Sequence, residues 1–324
     1  MASLAARQLL KGRHVAVVGA GLVGAGWAIV FARAGLEVRV FDANPDTAAG
    51  VPDFIRVQLE QMQHHGLVDD APAVLQRIRV SADLAHAVRG AGYVQESVLE
   101  RVDVKLGLMR QLQELLDPDA VVGSSTSGIG SSKLTQGLDL ATRVLVVHPV
   151  NPPHLVPVVE LVPSPATGAA ACDFAHALML AVDQSPVRVN REIEGFVLNR
   201  LQGVLLREAW ALVADGVATC EDIDKTVRDG LGWRWSFMGP FETIDLNAPG
   251  GVADYAARLG PLYQSIAASR SQDEQWPPEL VGRVEAERRR YLSQDELGQR
   301  RDWRDRRLMA IAASRRSRKE DGKA

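Results

Sequence analysis

The sequence predicts an α/β domain built on a doubly wound, mostly parallel sheet, followed by an all-α domain. Three observations carry this. Strand-like and helix-like segments alternate through the first half, the first strand ends in a glycine-rich turn that opens a helix, and no convincing strand remains after about residue 190. The expected domains are therefore residues 1–190 and 191–324. A chain of 324 residues is long enough for two cores of this kind.

The elements follow in order. "HVAVVGAG", from His14, is a short β-branched apolar run ending in glycines, as a buried parallel strand would. "VGAGWAIVFARAG" has helical spacing and closes on Gly35, a helix stop, and "LEVRVFD" reads as a second buried strand. Further strands are expected in "GYVQESV", "AVVGSSTS" and "RVLVVHP", separated by helices such as Val102–Leu116. Residues 158–162 and "PVRVN" read as the last strands, around a helix from about Ala169 to Val182. Beyond Glu192, "GFVLNRLQGVLLREAWALVADG" spaces its apolar residues three and four apart and ends on Gly216, which predicts a long buried helix. The remainder, through "CEDIDKTVRDGLG" and "RVEAERRRYL", reads as helix, and "SRRSRKEDGKA" as a frayed charged end.

Bulk properties exclude several function classes. A net charge of −3 and a pI near 6.2 offer no general attraction to nucleic acid or an anionic membrane. The Arg-rich "RRDWRDRRLMAIAASRRSR" accordingly reads as a solvated helix face and tail. Cys172 and Cys220 lack metal-type spacing, so neither a metal site nor a disulfide framework is expected, and a reducing compartment fits. "MASLAARQLLKGRH" lacks the apolar core of a signal peptide, and a first strand near His14 argues against a cleavable mitochondrial leader. No apolar run approaches the roughly twenty residues that span a bilayer. The expectation is a cytoplasmic protein with neither membrane nor nucleic-acid partner.

Gly19, Gly21 and Gly24 form G-x-G-x-x-G between strand and helix, and Asp42 ends the next strand. The first glycine permits the tight turn. The second lets backbone amides at the helix start, beside Leu22 and Val23, approach a pyrophosphate, and the third lets helix and strand pack closely. Asp42 is placed for two ribose hydroxyls and would repel a 2′-phosphate, which favours NAD over NADP. Glycines serving only a tight turn would leave Asp42 unexplained. The N-terminal domain is thus expected to be a Rossmann domain.

Two further patches fall at the carboxyl edge of the same sheet. Glu100 and Lys105, in "ESVLERVDVK", read on spacing alone as an exposed charged helix start. Ser124, Ser125, Thr126 and Ser127 follow the strand "AVV", where hydroxyls either cap the next helix or bind a ligand. His148 emerges from "VLVV" at that edge, near where a nicotinamide would lie, and Glu160 returns twelve residues later within another apolar run. A neutral imidazole there suits the base that takes a hydroxyl proton, and a carboxylate on its other nitrogen would fix the tautomer. The alternative is a capping histidine and a glutamate paired with a surface arginine.

Taken together, "GAGLVGAGWA…FD", "ERVDVK", "SSTS", "HPVNPP…PVVELVP" and "EGFVLNRL" resemble the 3-hydroxyacyl-CoA dehydrogenase superfamily, from about His14 to the last helices. "SSTS…SKL", "GFVLNRLQ" and "GPFETIDLNAPGG" are most similar to its lambda-crystallin branch, whose enzyme is L-gulonate 3-dehydrogenase. The resemblance implies His148 as base, Glu160 as its partner, Ser127 on the reacting oxygen and Asn199 closing the site from the second domain. It also implies a cofactor role for Glu100 and Lys105, NAD-dependent oxidation of an L-3-hydroxy group, and a homodimer formed through the helical domain. "GLGWRWSFMGPFET" departs from acyl-CoA members by inserting Trp233, Arg234, Trp235 and Ser236. Arg234 suits a bidentate contact with a free carboxylate, which a thioester lacks, with the two tryptophans walling a small pocket. The other reading makes the tryptophans core or interface residues and Arg234 an ordinary ion-pair partner. The substrates expected are small free 3-hydroxy acids; the alternatives are a short-chain L-3-hydroxyacyl-CoA dehydrogenase and a non-catalytic NAD-binding, crystallin-like protein.

Overall fold

The computed structural model describes residues 2–270 and 275–320. Among the described residues there are eight strands: β1 (His14–Val18), β2 (Val38–Phe41), β3 (Ile78–Val80), β4 (Ala91–Glu96), β5 (Val121–Ser124), β6 (Val144–Pro149), β7 (Val158–Pro163) and β8 (Ser185–Arg188). They form one sheet in the order β3-β2-β1-β4-β5-β6-β7-β8. Every pairing is parallel except β6 with β7. The helices among these strands are α1 (Ala2–Leu9), α2 (Leu22–Arg33), α3 (Pro45–His64), α4 (Ala71–Leu75), α5 (Leu84–Val88), α6 (Val102–Leu115), α7 (Ser131–Leu134) and α8 (Ala169–Ala181). After β8 come α9 (Leu198–Ala214), α10 (Cys220–Lys225), α11 (Gly232–Trp235), α12 (Pro240–Leu246), α13 (Gly251–Ala268), α14 (Pro278–Arg289) and α15 (Leu297–Glu320).

β1 shows why these runs become strands. Val15 and Val17 belong to the cluster that holds Trp27, Phe31, Leu59 and Met179, while Ala16 and Val18 belong to the one that holds Met109, Leu112 and Leu140. Alternate side chains of one strand enter opposite layers, so a strand covered on both faces is apolar throughout. The order of strands reverses direction between β1 and β4, and a crevice opens at the carboxyl ends at such a point. The expected strands and the helix near Val102–Leu116 all appear, within a few residues of their predicted ends.

Two compact units divide the chain. One runs to Arg200 and takes back the chain from Arg300 onward; the other is Leu201–Gln299. This division stands beside the boundary expected near residue 190 and differs from it in the tail. Met309, in α15, is fully buried within the sheet domain's core, so the Arg-rich tract carries a packed apolar contact as well as a solvated face. The charged end expected to fray is helical as far as Glu320, and its last four residues lie outside the described ones.

One expectation needs correcting. α9 forms as predicted, but it is not buried: Leu201 is 65% and Val204 71% exposed, and among its residues only Val213 is buried. Periodicity reports that one face is apolar, not what covers it. Among the described residues no helix is long and apolar enough to cross a membrane.

Candidate active site

The three glycines differ in what requires them. Gly19 has φ 93°, and a Cβ on it would lie 2.4 Å from the carbonyl of Ser97. A Cβ on Gly24 would lie 1.8 Å from the Gly19 oxygen, so helix and strand pack closely only without it. Gly21 has φ −62°, and its Cβ would meet nothing within 4 Å. Neither backbone conformation nor internal packing requires a glycine there. What remains is room for a ligand at the start of α2, where no side chain caps the helix and Leu22 is exposed. Asp42 closes the turn from β2: Oδ2 accepts from Ala20 N at 2.6 Å and Oδ1 from Asn44 N at 2.8 Å. This uncapped cradle beside a carboxylate fits the pyrophosphate and ribose of NAD.

His148 and Glu160 are directly opposed across the antiparallel β6–β7 pair, which explains the return of the chain after twelve residues. Nδ1 of His148 lies 2.8 Å from Oε2 of Glu160, and the two residues are 6% and 2% exposed. The other carboxylate oxygen, Oε1, accepts from the amides of Val197 at 2.7 Å and Leu198 at 2.9 Å, at the start of α9. Burial pushes the Glu160 carboxyl up, but the contact from His148 and the two amides outweigh it and hold the group below the ordinary carboxylate range. Glu160 therefore stays an acceptor, which places the imidazole proton on Nδ1 and leaves the Nε2 lone pair to take a proton. Gly195 (φ 74°) and Phe196 (φ 51°) turn the chain through left-handed conformations just before those amides. The Phe196 ring packs 5.6 Å from the imidazole.

The hydroxyl-rich loop after β5 is held by a carboxylate. Oε1 of Glu100 accepts from Thr126 Oγ1 at 2.7 Å, Ser127 N at 2.8 Å, Ser127 Oγ at 3.2 Å and Gly128 N at 3.2 Å. Burial pushes the Glu100 carboxyl up, yet the Thr126 hydroxyl and the Lys105 ammonium hold it below its usual range. Lys105 is only 1% exposed; its Nζ lies 2.7 Å from Glu96 Oε1, 3.2 Å from Val98 O and 3.4 Å from Glu100 Oε2. Glu96 is fully buried and also accepts from the Ser124 hydroxyl. A buried ammonium between two carboxylates is satisfied here, where a lone one would be costly. Glu100 and Lys105 thus hold the loop that presents Ser127.

Asn199 completes the arrangement. Its Nδ2 donates to the Ser127 carbonyl at 2.7 Å, one residue beyond the Leu198 amide that binds Glu160. The first turn of α9 therefore grips both the partner of His148 and the loop of Ser127. Arg234 belongs to the second unit, on α11, between Trp233 (73% exposed) and Trp235 (41% exposed). The reading of those tryptophans as core residues is thus incorrect for this chain by itself, because a short helix turns both outward.

Sequence reasoning passed over Glu96, Gln95 and Phe196. The signal for the first two was available: a glutamine and a glutamate ending an otherwise apolar strand need buried partners. Nothing local announces an aromatic residue at positive φ.

Fold and site together define an NAD-dependent oxidoreductase. The 3-hydroxyacyl-CoA dehydrogenase NAD binding domain matches residues 14–193, and the C-terminal domain of the same family matches residues 195–289. Lambda-crystallin of Oryctolagus cuniculus is 39% identical over 307 residues, covering 93% of this chain and 96% of its own. The L-carnitine dehydrogenase of Streptomyces coelicolor is 36% identical, over 85% of this chain and 87% of its own. A solved structure of the NAD+-dependent dismutase 5-formyl-3-hydroxy-2-methylpyridine 4-carboxylic acid 5-dehydrogenase superposes with a TM-score of 0.82. It is 27% identical and covers 96% of this chain and 99% of that one. The chain belongs to the 3-hydroxyacyl-CoA dehydrogenase family, and its cofactor is NAD.

Proposed function

We propose that the chain oxidises the 3-hydroxy group of a small L-3-hydroxy acid bearing a free carboxylate. The observation that carries the reading is the buried His148–Glu160 pair, whose second carboxylate oxygen is fixed by the Val197 and Leu198 amides. In this reading Nε2 of His148 takes the hydroxyl proton and Glu160 stabilises the imidazolium that forms. On substrate binding the Ser127 hydroxyl turns from its 3.2 Å contact with Glu100 and donates to the reacting oxygen, and Asn199 keeps the Ser127 loop in place. NAD, when bound, accepts the hydride. Gly19, Gly21, Leu22, Val23, Gly24 and Asp42 hold the cofactor, while Glu100 and Lys105 serve it indirectly through the loop.

The free acid is favoured over a thioester by two of the relatives' names. Carnitine and the pyridine 4-carboxylic acid each carry a carboxylate on a small molecule. Arg234 is assigned to that carboxylate because a planar guanidinium matches it bidentately. The exposed apolar residues of α9, Leu201 and Val204 among them, support a homodimer formed through the helical domain. The test is NAD reduction with L-gulonate, L-carnitine, L-3-hydroxybutyrate and 3-hydroxybutyryl-CoA, for wild type and Arg234→Ala. Turnover of a free acid that falls at least about tenfold in the variant is expected, since a charge-assisted bidentate pair is lost. Activity on the CoA ester alone, indifferent to Arg234, would replace this reading with a short-chain acyl-CoA dehydrogenase. Cofactor binding without turnover of any of the four would favour a non-catalytic role.

A further inference from the structure

We propose that Ser97 is a cofactor-binding residue whose hydroxyl donates a hydrogen bond to an acceptor oxygen on the nicotinamide riboside half of NAD. The position comes first. Ser97 follows β4 and its amide donates to Val18 O, next to the turn where a Cβ on Gly19 would strike the Ser97 carbonyl. Ser125 follows β5, and its amide donates to Glu96 O. Along the carboxyl edge the order is Asp42 after β2, the glycine turn after β1, Ser97 after β4, Ser125 and Ser127 after β5, and His148 near the end of β6. Four steps of about 4.8 Å separate the two ends, roughly 19 Å, the scale of an extended dinucleotide. A cofactor with its pyrophosphate on the glycine turn and its reacting ring toward His148 passes its nicotinamide riboside across the end of β4.

The direction of the Ser97 proton follows from counting donors and lone pairs. Trp27 Nε1 donates to Ser125 Oγ at 3.1 Å, because an indole nitrogen can only donate. Gln95 Nε2 donates to the same oxygen at 2.8 Å. The amide is oriented by its surroundings: its Oε1 lies 2.6 Å from the Tyr93 hydroxyl and its Nε2 3.4 Å from the Val147 carbonyl, which a reversed amide would face with its own oxygen. Both lone pairs of Ser125 Oγ are then used, so its single proton points to Ser97 Oγ, 2.8 Å away. Ser97 Oγ accepts that proton and keeps its own. No other side-chain hydrogen bond of Ser97 occurs among the described residues, so this proton has no protein acceptor there and is available to a ligand. Four buried or half-buried side chains thus order one hydroxyl as a donor at the edge where the cofactor passes.

The nicotinamide riboside offers the matching acceptors, a carboxamide carbonyl and ribose oxygens. The inference concerns the cofactor and is independent of which hydroxy acid is oxidised. The experiment measures dissociation constants for NADH, by its fluorescence, and for ADP, by calorimetry; ADP lacks the riboside. Ser97→Ala should raise the constant for NADH about three- to tenfold, the value of one neutral hydrogen bond, and leave ADP within about twofold. Ser97→Thr, which keeps the hydroxyl, should bind NADH within about twofold of wild type. Unchanged NADH affinity in Ser97→Ala would overturn the proposal. So would equal losses for NADH and ADP, because the defect would then lie in the glycine turn.

Discussion

Glu160→Gln separates the charge of the catalytic pair from its shape. The amide has two orientations, and the structure sets the cost of each. With its oxygen toward the Val197 and Leu198 amides, at the present 2.7 and 2.9 Å, its NH2 faces Nδ1 of His148. Nδ1 must then accept, the ring proton moves to Nε2, and the base is lost. With the amide reversed, the tautomer is right but two backbone N–H groups face an NH2, at about 1–3 kcal/mol for each unsatisfied donor. The first orientation therefore dominates by at least about tenfold, and often far more. Either way the carboxylate that stabilises the imidazolium is gone, so turnover should fall by about three to four orders of magnitude. The assay is turnover followed by NADH absorbance with the best substrate of the panel, alongside NADH affinity and thermal unfolding as controls. Both controls should hold close to wild type. A variant that folds, binds NADH and keeps turnover within about tenfold would refute the tautomer argument and with it the assignment of His148 as base.

Gly21→Ala should leave the fold intact, costing no more than about 1 kcal/mol as a poorer N-cap, and weaken NADH binding at least about tenfold. Gly24→Ala should instead destabilise the domain by about 3 kcal/mol, because its methyl overlaps the Gly19 oxygen; chemical denaturation and NADH titration of both variants distinguish the two roles, and the reverse pattern would refute them. His154 is 3% exposed with both ring nitrogens unpartnered, and burial, aided by the Arg33 guanidinium, pushes it down to about 3. The unfolded chain binds this proton below about pH 6.5 and the folded chain only near 3, so stability is full above 6.5 and falls through that window by about 1.4 kcal/mol per pH unit. His154→Phe should remove about 2 kcal/mol of the loss between pH 7 and pH 5; denaturation curves showing the same loss in both proteins would sink the account.

The doubly wound sheet, the glycine turn and the His148–Glu160 pair were legible in the amino-acid sequence because each is written in local spacing. A buried parallel strand reads as a continuous apolar run, and a G-x-G-x-x-G turn is a contiguous motif between a strand and a helix. The pair was legible because the two residues end up directly opposed in one antiparallel pairing, where sequence separation sets the distance. What only the tertiary structure decided involves partners from different strands. Glu100 appears in the sequence as a charged helix start, yet its carboxylate binds a loop some 27 residues away. Lys105 reads as solvated and is buried, because Glu96 waits for it on the neighbouring strand. α9 reads as buried and is exposed in the single chain, since an apolar stripe specifies a helix face and not the surface that meets it. The direction of a single proton on Ser97 depends on an indole, an amide and a hydroxyl contributed by three elements. Hydrogen bonds and ion pairs are short-ranged and directional, so their pattern exists only once the strands that carry them lie side by side.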